Sequence, residues 1–177
     1  MTTTTPGSID APALAQLLTL STPTAFAALG SAVVGGVLYA FSAFVMRGLD
    51  GLQPTQSVAA MQQINLAAPR AGLMVPLMGT LLLSLGLLVA GLVAVRRDHG
   101  AGWWLVAGAV LYLAAFAVTA AYHVPHNDAL AQVDAAGPGA AAAWHDYAAA
   151  WTRLNHVRAA AALAASVSYV VALLRLH

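Results

Sequence analysis

Residues 144–174 read WHDYAAAWTRLNHVRAAAALAASVSYVVALL. The second half of this stretch is membrane-length and apolar. The first half is not: two Trp, a Tyr, two His, two Arg, an Asp and an Asn crowd into positions 144–158, in a chain with only 7 % charged residues. No helix breaker lies between Trp144 and Leu174, so both halves belong to one helix that extends out of the membrane well before His156. Arg at the centre of a membrane helix costs roughly 2.5–3.5 kcal/mol on insertion scales. A polar cluster at the mouth of a span therefore marks a functional site.

Three more apolar stretches precede it. The spans fall at about 24–46, 71–95, 101–122 and 155–175. Each approaches the roughly 20 residues that cross the hydrocarbon layer. Backbone polar groups in lipid must be satisfied internally, so the spans are helices. Connections this short make successive helices antiparallel neighbours. The fold class is all-α, an integral membrane antiparallel four-helix bundle. Residues 1–20 read as a flexible N-terminal tail and 21–177 as the transmembrane domain.

Composition agrees and excludes alternatives. Apolar residues make up 60 % of the 177. The net charge of +1 offers no basic field for nucleic acid. With no Cys, thiolate metal sites, disulfides and cysteine nucleophiles are excluded. Every cation is Arg and every acid Asp, a bias that fits a GC-rich genome. The first twenty-three residues hold no Lys or Arg, unlike the basic start of a signal peptide.

The links differ. Arg96-Arg97-Asp98-His99-Gly100 is a tight turn. Pro54 to Leu66, between spans one and two, reads as a short helix that Pro54 starts. In the link from Tyr122 to Arg153, Pro125 is expected to stop the third helix, and Gly137-Pro138-Gly139 breaks the chain before helix resumes. The paired Arg96-Arg97 in the shortest loop places both termini in the cytoplasm, in a bacterial cell membrane. Gly30, Gly35, Gly36, Gly86 and Gly91 read as close-packing positions.

On a helical wheel, Trp144, Tyr147, Trp151, Asn155 and Arg158 share one stripe. His145, Thr152 and His156 form an adjacent stripe, and Asp146 and Arg153 a third. The first stripe suits a flat aromatic ligand held by stacking and cation–π contact. An interfacial aromatic belt with snorkelling Arg is the simpler alternative. A second polar knot, Tyr122-His123-Val124-Pro125-His126-Asn127-Asp128, ends span three on the same membrane side. There His123, His126 and His156 could converge on Cu, Fe or Zn, although their spacing is no recognised ligand pattern. Ser42 near the end of span one and Asn65 complete the polar set; Ser42 alone could bond its own helix, and Asn65 could cap a helix end. Asn65, Asn127, Trp151, Asn155, His156 and Arg158 are expected to face one cavity near one membrane surface. No nucleophile motif, phosphate loop or H-E-x-x-H is present.

The chain resembles the anthrone oxygenase-like family of small membrane proteins. The resemblance rests on Phe41-Ser42-Ala43-Phe44-Val45-Met46, on Ala60-Met61-Gln62-Gln63-Ile64-Asn65, on Val124-Pro125 with Asn127-Asp128-Ala129-Leu130, and on Trp144, Tyr147, Trp151-Thr152 and Asn155-His156-Val157-Arg158. Family members often carry Pro where this chain has Arg47, and Asn where it has His123. The resemblance implies a four-span protein. Some fungal members are linked to oxidation of anthrones to anthraquinones by dioxygen, without a recognised haem or flavin. Such chemistry would use His156 as base, with Arg158 and Asn155 or Asn127 stabilising the enolate. Trp144, Tyr147 and Trp151 would stack on the rings, with Asn65 and Ser42 beside them. The partners are then the lipid bilayer and an apolar small molecule; a homo-oligomer is left open, and no cofactor is required. Two other classes compete: a non-catalytic membrane protein binding a lipid, a quinone or a partner protein, and an oxidase with a His-held metal.

Overall fold

A computed structural model describes residues 11–70 and 72–176. It is all-helical, with four helices long and apolar enough to cross a membrane. Helix α1 (Ala11–Ala40) continues through a π-helical turn (Phe41–Val45) into α2 (Met46–Asp50). Then come α3 (Pro54–Ala67), α4 (Met74–Arg96), α5 (Ala101–Val118), a second π-helical turn (Thr119–His123), α6 (Val124–Ala131) and α7 (Ala140–Leu176). Of the segment read as an N-terminal tail, residues 1–10 lie outside the described residues, as does Ala71 at the head of the second span.

The short elements reflect local chemistry. Pro54 opens α3, where its missing N–H is not needed. Gln56 Oε1 accepts from the Gln53 amide at 3.3 Å and ties down the same end. The turn after α4 reverses at Asp98, whose φ of 56° is a left-handed value that a short polar side chain tolerates. Helix α7 starts directly after Gly139 and runs unbroken through residues 151–158, as the sequence requires.

Pro125 does not stop the third span, which corrects the sequence expectation. It sits in the first turn of α6, where a missing N–H costs nothing. The π turn before it absorbs the change of phase: the Val124 amide bonds the Thr119 carbonyl, one residue further back than in an α-helix. The helix therefore runs on to Ala131.

The four long helices pack as a ring in which α1 touches α4 and α7, and α5 touches α4 and α7. Inside, Ala27, Ala109, Ala159, Ala162, Ala165 and Ala172 are buried, and their small side chains let the backbones approach. Tyr112 and Tyr169 fill the remaining width. Tyr112 donates to the Leu77 carbonyl (3.0 Å) and Tyr169 to Ser84 Oγ (2.8 Å). A Cβ on Gly108 would stand 2.8 Å from the Tyr169 ring, so only Gly fits there. Gly30, Gly35 and Gly91 are likewise crowded by neighbouring helices, whereas Gly36 and Gly86 face open space.

Outside, Phe26, Leu29, Val33, Leu82, Val89, Val110, Val167 and Leu174 are exposed along the spans. Water would not tolerate so large an apolar surface; lipid requires it. The protein is an integral membrane protein by this criterion. A second core caps one end of the bundle, where Met46, Leu49, Val58, Met61, Leu130, Trp144, Tyr147 and Trp151 join α2, α3, α6 and the start of α7. The polar residues collect where the two cores meet.

Candidate functional site

Three polar layers stack along the first half of α7. Nearest its start, Trp144 Nε1 donates to Asp50 Oδ1 at 3.0 Å. Next, Tyr147 OH (2.8 Å) and Trp151 Nε1 (3.0 Å) both donate to Asn127 Oδ1. Deepest, Asn155 Nδ2 donates to the Leu38 carbonyl and to Ser42 Oγ, each at 2.6 Å. Arg158 Nε donates to Asn155 Oδ1 at 2.8 Å, and Arg158 Nη1 to Thr119 Oγ1 at 3.2 Å. Its guanidinium lies over the Trp151 ring, 5.4 Å from the centroid. All five residues of the predicted stripe thus point inward and are buried.

That placement changes what the stripe does. Trp144, Tyr147 and Trp151 are packed side by side at centroid spacings near 6.0 Å, and their polar atoms are taken by Asp50 and Asn127. They are an internal wall. Arg158 is a buried cation that forms no ion pair with a carboxylate; among the described residues the ion pair found is the exposed His145–Asp146 contact. A lone buried charge is stable only if dipoles surround it. Here the Asn155 amide, the Thr119 hydroxyl and the Trp151 ring do so.

The two π turns place polar groups against this network. An inserted residue rotates the rest of the helix by about 100° relative to an uninterrupted α-helix. Ser42 lies in the first and is buried against α7. His123 ends the second, with Nδ1 3.3 Å from the Val118 carbonyl and Nε2 3.3 Å from the Trp151 carbonyl. Its ring meets Trp151 edge-on at 5.1 Å. Asn65 lies within α3 and caps nothing; its half-buried side chain reaches the Tyr147 phenol.

The histidines do not converge. His123 is interior, His126 is exposed and stacked on Tyr122 at 3.7 Å, and His156 faces outward. Among the described residues no group of three His, Asp or Glu side chains is placed to hold a metal ion. His123 sits between two backbone carbonyls.

His156 lies on the other side of the same helix from Arg158. It lines a groove of about 510 Å³ between α7 and the end of the first span. The walls are Ser42, Met46, Arg47 and Asp50 from one side and His145, Ala148, Ala149, Thr152, Arg153 and His156 from the other. The second stripe of the wheel, His145, Thr152 and His156, thus opens onto this groove. Sequence reasoning misses Met46, Arg47, Asp50 and Arg153 as its companions, and Thr119 as the partner of Arg158. The only signal for Arg153 is its position one turn before His156; Thr119 gives none, because the π turn hides its phase.

The groove suits an apolar molecule with one acidic or anionic end. Met46, Ala148 and Ala149 offer apolar contact, Arg47 and Arg153 together outweigh the Asp50 carboxylate, and His156 offers an imidazole. Ser42 belongs to both the groove and the buried network, and so connects them.

A family model described as anthrone oxygenase matches residues 71–168, more than half of the chain. The match contains His123, Asn127 and the whole polar half of α7; Ser42 and Asn65 lie before it. No curated protein and no solved structure matches the chain.

Proposed function

Because the chain belongs to the anthrone oxygenase family, we propose that it is a membrane-embedded oxygenase that oxidises an apolar, anthrone-like carbon acid with dioxygen, and that the reaction takes place in the groove beside α7. One observation carries this reading: the His156 imidazole and the Arg47 and Arg153 guanidiniums line one cavity large enough for a three-ring aromatic.

In an anthrone the reacting CH2 and the carbonyl oxygen lie at opposite ends of the central ring. A base and an anion donor must therefore stand on facing walls. His156 on α7 removes a proton from the CH2. Negative charge moves to the carbonyl oxygen, where Arg47 on the facing wall stabilises it; Arg153 adds positive potential from the side of the base. The carbanion bonds one oxygen of dioxygen, and the resulting peroxide anion takes back the proton from His156. Loss of the second C–H proton as the O–O bond breaks leaves a carbonyl and water. In sum, CH2 plus O2 gives C=O plus H2O; the carbon is oxidised and dioxygen is the oxidant.

On this reading Asn155, Arg158 and Asn127 hold the wall rather than touch the substrate. Trp144, Tyr147 and Trp151 give α7 its rigid seat. The substrate enters laterally from the bilayer, and the positive-inside rule puts the groove on the face opposite the Arg96–Arg97 turn, outside the cytoplasm.

The test is oxygen uptake by the purified protein in nanodiscs with an anthrone, corrected for uptake in empty nanodiscs. The proposal expects oxygen and substrate to be consumed in equal amounts. No uptake above the empty discs over several anthrones refutes it and leaves a groove that binds a lipid or quinone.

A further inference from the structure

Resting on that reading, we infer that the hydroxyl of Ser42 is an oxyanion donor for the groove-bound substrate, and that the buried Arg158 charges it from behind through Asn155.

Donors and acceptors form an ordered chain. Arg158 Nε donates to Asn155 Oδ1 at 2.8 Å, and Asn155 Nδ2 donates to Ser42 Oγ at 2.6 Å. Ser42 Oγ therefore acts as an acceptor. No hydrogen bond among the described residues uses it as a donor, although a serine hydroxyl carries one proton to give. The usual outlet for a serine in a membrane helix is the carbonyl one turn back. For Ser42 that is Leu38, whose carbonyl accepts from Asn155 Nδ2 instead. The residue also lines the groove. Its hydrogen is thus the uncommitted end of a chain that begins at a cation.

Such a chain has a direction. A guanidinium bonded to the amide oxygen makes the amide N–H groups better donors. The amide in turn withdraws density from the Ser42 oxygen and makes its O–H a better donor. The gain is largest in a dry environment, and Asn155 is fully buried. Arg158 keeps its charge without a carboxylate to neutralise it, so the positive potential remains available to the groove. The π turn at Phe41–Val45 is what brings Ser42 to this position, in keeping with the frequency of π turns at functional sites. Ser42 also sits on the wall facing His156, as an enolate oxygen across the ring from the base requires. Asn155 and Arg158 then act as positioning and polarising residues; of these three, only Ser42 touches the substrate.

Two readouts test this. In turnover, Ser42→Ala should lower kcat on the order of 10²-fold, the usual loss for one oxyanion donor, and Ser42→Thr, which keeps the hydroxyl, should recover most of it. In binding, 2-naphthol serves as a flat probe that ionises to an oxyanion. Its ionised fraction is read by absorption while the protein in nanodiscs is titrated with alkali. The bound probe should ionise at higher pH in Ser42→Ala than in wild type by about one unit. Arg158→Lys, which keeps charge but not the fork, should give a smaller shift in the same direction. Combining the two changes should add little to Ser42→Ala, since both act through one hydroxyl. A midpoint unmoved by Ser42→Ala, with the probe still in the groove, overturns the inference and leaves the oxygenase reading standing. Probe binding that Thr152→Trp does not block places the probe elsewhere and overturns the groove, and this inference with it.

Discussion

Asn155→Ala should be among the most destabilising single changes in the chain, and its size can be worked out from the contacts. The side chain is fully buried and makes two hydrogen bonds from α7 to the first span, to Leu38 O and Ser42 Oγ, and one to Arg158 on its own helix. Interhelical hydrogen bonds between neutral groups in membrane proteins average only about 0.6 kcal/mol, because helices separated within a bilayer find other partners. The bond to the guanidinium is of a different kind. Hydrogen bonds to charged groups contribute about 1.5–3 kcal/mol, and the Arg158 Nε–H left behind would be buried without a partner. The charged contact thus decides the outcome, and the expected loss is about 3 kcal/mol. The double change Asn155→Ala with Arg158→Met should cost less than the sum of the single changes, since it removes donor and acceptor together. Reversible unfolding in mixed micelles, with the helical circular dichroism as signal, measures both. A loss below about 0.5 kcal/mol for Asn155→Ala would refute the reasoning, because it would mean that the buried guanidinium does not depend on the amide.

The same structure sets further outcomes. Asn65→Leu should cost no more than about 1 kcal/mol in the same unfolding assay, because the side chain's one polar neighbour, the Tyr147 phenol, already donates to Asn127; a cost near that of Asn155→Ala would contradict this. Gly108→Ala drives a Cβ to 2.8 Å from the Tyr169 ring and should cost about 1–3 kcal/mol, whereas Gly36→Ala meets no atom within 4 Å and should stabilise by up to about 1 kcal/mol. The chain has no Cys, so a single Cys at Asp98 and a single Cys at Asp134 can be labelled in intact cells without background. Only the Asp134→Cys variant should react with a membrane-impermeant maleimide; the reverse pattern would invert the proposed orientation.

The fold is legible in the sequence because lipid imposes strict rules. Four apolar stretches, a paired-Arg turn and the Gly137-Pro138-Gly139 break leave few arrangements open, and the bundle matches the reading from composition and periodicity. The unbroken α7 is visible for the same reason. The wheel also separates His156 from Arg158 correctly, yet their nearness in sequence and shared membrane side suggest one cavity for both. The structure places them on opposite sides of the helix: Asn155 and Arg158 in the interior, His156 in the groove. Two features are hidden for a physical reason. The π turns at Ser42 and His123 each insert a residue, and no local composition announces the resulting change of phase. Pro125 reads as a stop because a proline inside a helix normally is one; the π turn before it makes it a helix start. Arg47 and Arg153 look like topology signals or snorkelling residues, and only the packing of α7 against the end of the first span shows them sharing a groove.

The central claim is that His156, in the groove, is the base of an oxygenase. Its most direct test is the rate of anthrone-dependent oxygen uptake in nanodiscs, compared between wild type and His156→Ala with His99→Ala as the remote control. His156→Ala should lose roughly 10²–10⁴-fold and His99→Ala nothing. A wild-type rate retained by His156→Ala would contradict the claim.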